Sequence, residues 1–91
     1  MLNFQISEKL KKKLQVISKK DKILALIFSK KVEEVISHNS KTINTYKNLK
    51  SPLNELKRIH LTNNFILLFQ FNQKENCIIF IDILHWDKAY N

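Results

Sequence analysis

The sequence has 91 residues, 44% of them hydrophobic, and a formal net charge of +8. A chain of this length supports one domain, residues 1–91, with a modest core, and its apolar content excludes an intrinsically disordered chain. Glycine is absent and Cys77 is the single cysteine, which excludes glycine-rich nucleotide loops, an internal disulfide and a paired-cysteine zinc site. Leu2, Phe4 and Ile6 alternate with Asn3 and Gln5 and predict a short strand. Ser7 suits the N-cap of a helix, with Glu8 in its first turn. Leu10, Leu14 and Ile17 then form one apolar stripe, and Lys9, Lys11, Lys12 and Lys13 face water. Residues 18–20 mark a break. Asp21 can cap a second helix to about His38, with Ile23, Leu24, Ile27, Phe28, Val32, Val35 and Ile36 on its buried side.

Residues 39–54 are polar and read as a connector anchored by Ile43, Tyr46, Leu49 and Leu53, with Pro52 the only proline. Residues 56–62 alternate like a strand, and Asn63 and Asn64 signal a turn. Residues 65–71 are nearly all apolar and suit a central strand covered on both faces. A second turn spans 72–76, another apolar strand spans 77–84, and 85–91 form a tail. Without glycine, left-handed turn positions fall to asparagine, aspartate or serine. This order predicts an α+β fold: an N-terminal strand and helical hairpin packed on a C-terminal antiparallel meander. The first strand belongs at or near a sheet edge, its neighbour undetermined.

Charge divides unevenly. Residues 1–50 hold 12 lysines and 4 acids, whereas residues 51–91 are neutral. The helical half therefore reads as a docking surface for a polyanion. No run of roughly 18 apolar residues offers a membrane span, and the first residues lack a secretory leader pattern. A cytoplasmic protein with no membrane partner and no cofactor is expected. Strand alternation puts Arg58 and His60 on the open sheet face, with Lys57, Ile59 and Leu61 on the other. Phe65, Leu67, Phe69 and Phe71 would face the helices. Ile66, Leu68 and Gln70, joined by Ile78 and Phe80, would then form an exposed apolar patch for a partner. Asp82, set in an apolar strand, needs a partner; Arg58 or a histidine is expected.

The second half carries a family likeness. Residues 49–53, the basic strand Lys57, Arg58, Ile59, His60 and Leu61, the aromatic Phe65, and the ending His85, Trp86, Asp87, Lys88, Ala89 and Tyr90 resemble the RelE/ParE toxin superfamily. The likeness covers nearly the whole chain in pattern and is specific only over roughly residues 49–90. It implies a RelE-like fold and a toxin of a toxin–antitoxin system, acting as a ribosome-dependent, metal-independent messenger-RNA endonuclease. An antitoxin, the ribosome and messenger RNA are the implied partners. The implied catalytic residues are Arg58, His60, His85 and Tyr90. Lys57, Lys88, Trp86, Lys11, Lys12 and Lys13 are the implied RNA-binding residues. Two positions depart: Ile66 and Trp86 stand where relatives carry arginine. Isoleucine cannot hold a phosphate, and tryptophan offers stacking and one N–H. The alternative is a domain that binds RNA or a protein partner, antitoxin or DNA gyrase, without cleavage.

Overall fold

The computed structural model describes residues 1–49 and 55–89, the side chains of 88 and 89 excepted. Strand β1 (Asn3–Ile6) leads into helices α1 (Glu8–Lys20) and α2 (Lys22–Ile36) and a short 3-10 turn (Thr42–Thr45). Strands β2 (Lys57–His60), β3 (Phe65–Asn72) and β4 (Cys77–His85) follow, then a single-turn helix α3 (Trp86–Ala89). The sheet order is β1-β4-β3-β2. The last three strands form the expected antiparallel meander, and β1 adds parallel to β4 at the edge, so the sheet is mixed.

Both helix starts follow from their caps. Ser7 Oγ accepts the N–H of Leu10 at 3.1 Å, and Asp21 Oδ1 accepts that of Leu24 at 3.0 Å. Ser7 also ties α1 to the sheet: its N–H donates to Phe80 O at 2.9 Å and its hydroxyl to Ile81 O at 2.6 Å. At this point β1 ends and α1 takes its place beside β4. Here the β3–β4 register shifts, with Leu68 opposite Asp82 but Phe69 opposite Phe80, which leaves Ile81 as an extra residue. In the turn before β4, Asn76 takes a positive φ of 51°, the left-handed role that falls to asparagine where glycine is absent.

The main core joins Leu10, Leu24, Phe28, Val32 and Val35 of the hairpin to Leu67, Phe69, Ile78, Phe80 and Ile83 of the sheet. Phe65 and Phe71 pack against it, as alternation predicts. Ile78 and Phe80 belong to this core rather than to an outward patch, because each stands opposite a helix-facing residue, Phe71 and Phe69. Ile23 lies outside it at 73% exposure, about 100° round the helix from Leu24.

The opposite sheet face is not an exposed apolar patch. Ile66 and Leu68 do point away from the helices, but they are buried with Leu49 and flanked by Leu56 and Leu84. The polar connector brings this cover. Ile43 anchors it in the main core. Beyond the 3-10 turn it runs back along β2: the N–H of Arg58 donates to Lys47 O at 3.0 Å, and that of Leu49 to Leu56 O at 2.9 Å. Leu53 and Pro52 lie outside the described residues.

Candidate functional site

Arg58 and His60 stand two residues apart on β2, about 7 Å along the strand, on the face away from the helices. Arg58 is half-buried and His60 exposed. Their cross-strand partners are Leu68 and Ile66, which in turn oppose Asp82 and Leu84. Trp86 comes to the same face. Its N–H donates to Asn64 O at 2.8 Å, and its ring lies 5.0 Å from that of His60, tilted by 31°. Arg58, His60 and Trp86 therefore share one face of the sheet, and the imidazole and indole meet at the exposed end of β2.

His85 does not join them. It opposes Phe65, with ring centroids 5.6 Å apart and nearly perpendicular, so it points to the helical side. Its Nδ1 accepts the N–H of Asp87 at 3.4 Å and stands 3.6 Å from that carboxylate. There it borders a cavity of about 410 Å³ lined by Lys13, Val16, Ile17, Leu24 and Ile83. Alternation causes the split: Leu84 faces outward, His85 inward and Trp86 outward. Tyr90 lies outside the described residues, as does the side chain of Lys88.

The lysines also separate. Lys57 is buried; its Nζ donates to Asn48 Oδ1 at 2.9 Å and to Tyr46 O at 3.4 Å, and burial lowers its pKa. It clips the connector to β2, and these contacts occupy its ammonium in the structure. Lys11 pairs with Glu8 on the exposed helix surface, and Lys12 is exposed. Lys13 reaches over the edge of β4 to Asp82 at 2.7 Å and donates to Ile83 O at 3.0 Å. Lys9 adds a second contact to Asp82 at 3.2 Å. These two lysines, rather than Arg58 or a histidine, pair with Asp82, whose Oδ1 also accepts the N–H of Ile83 at 2.9 Å. Burial pushes the Asp82 carboxyl up, but the hydrogen bonds and charges of Lys13 and Lys9 outweigh it and hold the pKa below the usual carboxylate range.

One cluster has no counterpart in the sequence reading. The Tyr46 hydroxyl donates to Glu34 Oε2 at 2.6 Å and lies 3.0 Å from His38 Nε2, while His38 Nδ1 bonds Thr42 Oγ1 at 3.0 Å. Burial, then Glu34, raises the Tyr46 pKa; the Tyr46 hydrogen bond lowers that of Glu34. Glu34 and His38 share a helix face at four-residue spacing, but no period predicts that Tyr46 returns to them. This latch fixes the connector that borders Arg58. Among the described residues no three potential metal ligands cluster, and no helix is long and apolar enough to cross a membrane.

Chemically, Arg58 can bind phosphate through paired donors, His60 can exchange a proton, and the indole offers a stacking surface. No family model matches the chain. A Methanocaldococcus jannaschii protein called "Putative toxin RelE4" is 37% identical over 90 residues, covering 99% of this chain and 92% of that one. The crystal structure of a metal-bound toxin from Helicobacter pylori matches with a TM-score of 0.75 at 24% identity, over 97% of this chain and 98% of its own. A chain of the intact E. coli RelBE toxin–antitoxin complex matches with a TM-score of 0.71 at 17% identity, over 91% and 94%.

Proposed function

The chain belongs to the RelE-like toxin family, and from that premise we propose that it cuts messenger RNA on the ribosome and so arrests translation, with an antitoxin as its counterpart. The observation that supports this reading is that Arg58 and His60 share one sheet face and that the Trp86 ring meets His60 there. The RNA's own 2′-hydroxyl is the nucleophile, a route that needs no metal. Its oxygen bonds to phosphorus, the bond to the 5′ oxygen breaks, and His60 takes the 2′ proton. Arg58 balances the charge that builds on the phosphate oxygens, and Trp86 stacks on a base. The leaving oxygen needs a proton. His85 faces the other side of the sheet, so Tyr90, outside the described residues, is assigned that role.

Lys11 and Lys12 supply phosphate contacts to ribosomal RNA that are independent of sequence. The charge of +8 suits an acidic antitoxin, and the fold likeness to a chain of a toxin–antitoxin complex supports such a partner. One observation favours a second reading, binding without cleavage: Ile66, where relatives carry arginine, is fully buried beside Leu49, so no second guanidinium stands there. Induced expression separates the two. Under the first, translated messages acquire internal breaks, and Arg58→Ala reduces their rate by about 10²–10³-fold. Growth arrest with intact messages would favour the second.

A further inference from the structure

Asp82 is a buried carboxylate on the face that carries Arg58 and His60, and two lysines of α1 cross a sheet edge to reach it. We propose that Lys9 and Lys13, held there by Asp82, form a second phosphate seat, so that one RNA strand spans from Arg58 to α1. The proposal rests on the RNA-cleaving reading and adds a subsite to it.

The geometry makes the crossing possible. β1 pairs with β4 only as far as Phe80. Beyond it the β4 edge is left to α1, on which Lys9 and Lys13 lie four residues apart on one face. Arg58, Leu68 and Asp82 form one row across β2, β3 and β4, so Asp82 lies two strand spacings from Arg58, about 10 Å.

The division of labour between the lysines points to a ligand. Lys13 bonds Asp82 Oδ1 at 2.7 Å, an oxygen that also accepts the N–H of Ile83 at 2.9 Å, and donates to the edge carbonyl of Ile83 at 3.0 Å; the other oxygen, Oδ2, is left to Lys9. Lys9 makes the longer contact, 3.2 Å, from a side chain that is 70% exposed, whereas that of Asp82 is 6% exposed. The Lys9 contact serves one oxygen of a buried carboxylate, and water at its exposed end weakens that pair. Lys9 also adds a second positive charge against one carboxylate, and an ammonium has three donors, so others remain for an oxygen arriving from solvent. A phosphate oxygen is the anion that this face would meet.

A salt titration with a short 2′-O-methyl RNA, which binds but cannot be cut, tests the seat. Lys9→Gln should weaken binding several-fold at low salt and flatten the dependence of log affinity on log salt by about 0.7, the value for one lost contact to a single strand. Glutamine can still donate to Asp82 Oδ2, so the variant's melting temperature should fall by only a few degrees. Lys19→Gln, an exposed charge at the far end of α1, should leave the slope unchanged. Asp82→Asn, if folded, should bind more tightly with a steeper slope, whereas a purely structural Asp82 would lose stability and leave the slope alone. Equal effects of Lys9→Gln and Lys19→Gln would overturn the seat. If Lys9→Gln binds like the parent while Arg58→Gln is weakened, the seat falls and the RNA reading stands. If the parent does not bind the free RNA at low salt, the seat falls, and cleavage on programmed ribosomes decides the reading.

Discussion

Tyr46→Phe removes one hydroxyl from the latch that holds the connector against β2. That hydroxyl donates to the Glu34 carboxylate at 2.6 Å and meets His38 Nε2 at 3.0 Å. A hydrogen bond to a charged group contributes about 1.5–3 kcal/mol when shielded. The Glu34 side chain is 46% exposed, so water replaces part of the bond, and a loss of about 1 kcal/mol is expected. For a domain of this size that lowers Tm by about 4–8 °C. The ring stays, and with it the perpendicular contact to Phe69 at 5.4 Å. Tyr46→Ala loses that packing as well and should cost about 3 kcal/mol. The pH dependence gives a second readout. The Tyr46 pKa is raised, so its contribution is complete below the usual tyrosine range and is lost as pH rises through the folded value. The Glu34 pKa is lowered, so its contribution is present above the usual glutamate range and is lost as pH falls through the lowered value. Thermal melts followed by circular dichroism across acidic, neutral and alkaline buffers measure both. The phenylalanine variant should show shallower losses at each end. A variant that melts with the parent at every pH would refute the latch.

Ser7→Ala removes a helix cap and the donor to Ile81 O; about 1–2 kcal/mol should be lost in denaturant unfolding. Ser7→Asp, which can cap but cannot donate to that carbonyl when ionised, should recover about half. Leu49→Ala uncovers Ile66 and Leu68; a loss of about 2–4 kcal/mol is expected, with binding of an apolar dye that the parent does not show. His60→Ala removes the ring beside Trp86, the only tryptophan. Its emission should shift and collisional quenching increase, whereas an unchanged spectrum would mean that the rings do not meet in solution.

Local features were legible where one residue type has one local use. Ser7 and Asp21 announced both helix starts, and the period-two pattern of residues 65–71 assigned the helix-facing aromatics correctly. Features that depend on distant chain returning were not. The alternation rule gave the direction of Ile66 and Leu68 but not their burial, because Leu49 arrives from a segment with no period of its own. The same rule, carried through Leu84, turns His85 away from Arg58 and His60, whereas a likeness at the chain's end carries no direction for a side chain. An aspartate in an apolar strand needs a partner, yet Lys9 and Lys13 lie some seventy residues earlier and reach Asp82 where β1 stops short. Lys57 shows the limit of composition: a lysine on a basic strand reads as a phosphate contact, and no local pattern announces that its ammonium donates to Asn48 and the Tyr46 carbonyl.

The nuclease reading meets its most direct test on purified ribosomes programmed with a defined message, with RNA ends mapped after adding the chain. Breaks within the message are expected only when ribosomes are present, and they should be nearly absent with Arg58→Ala or His60→Ala. A message that stays intact while the chain is bound to the ribosome would contradict cleavage and leave a binding domain.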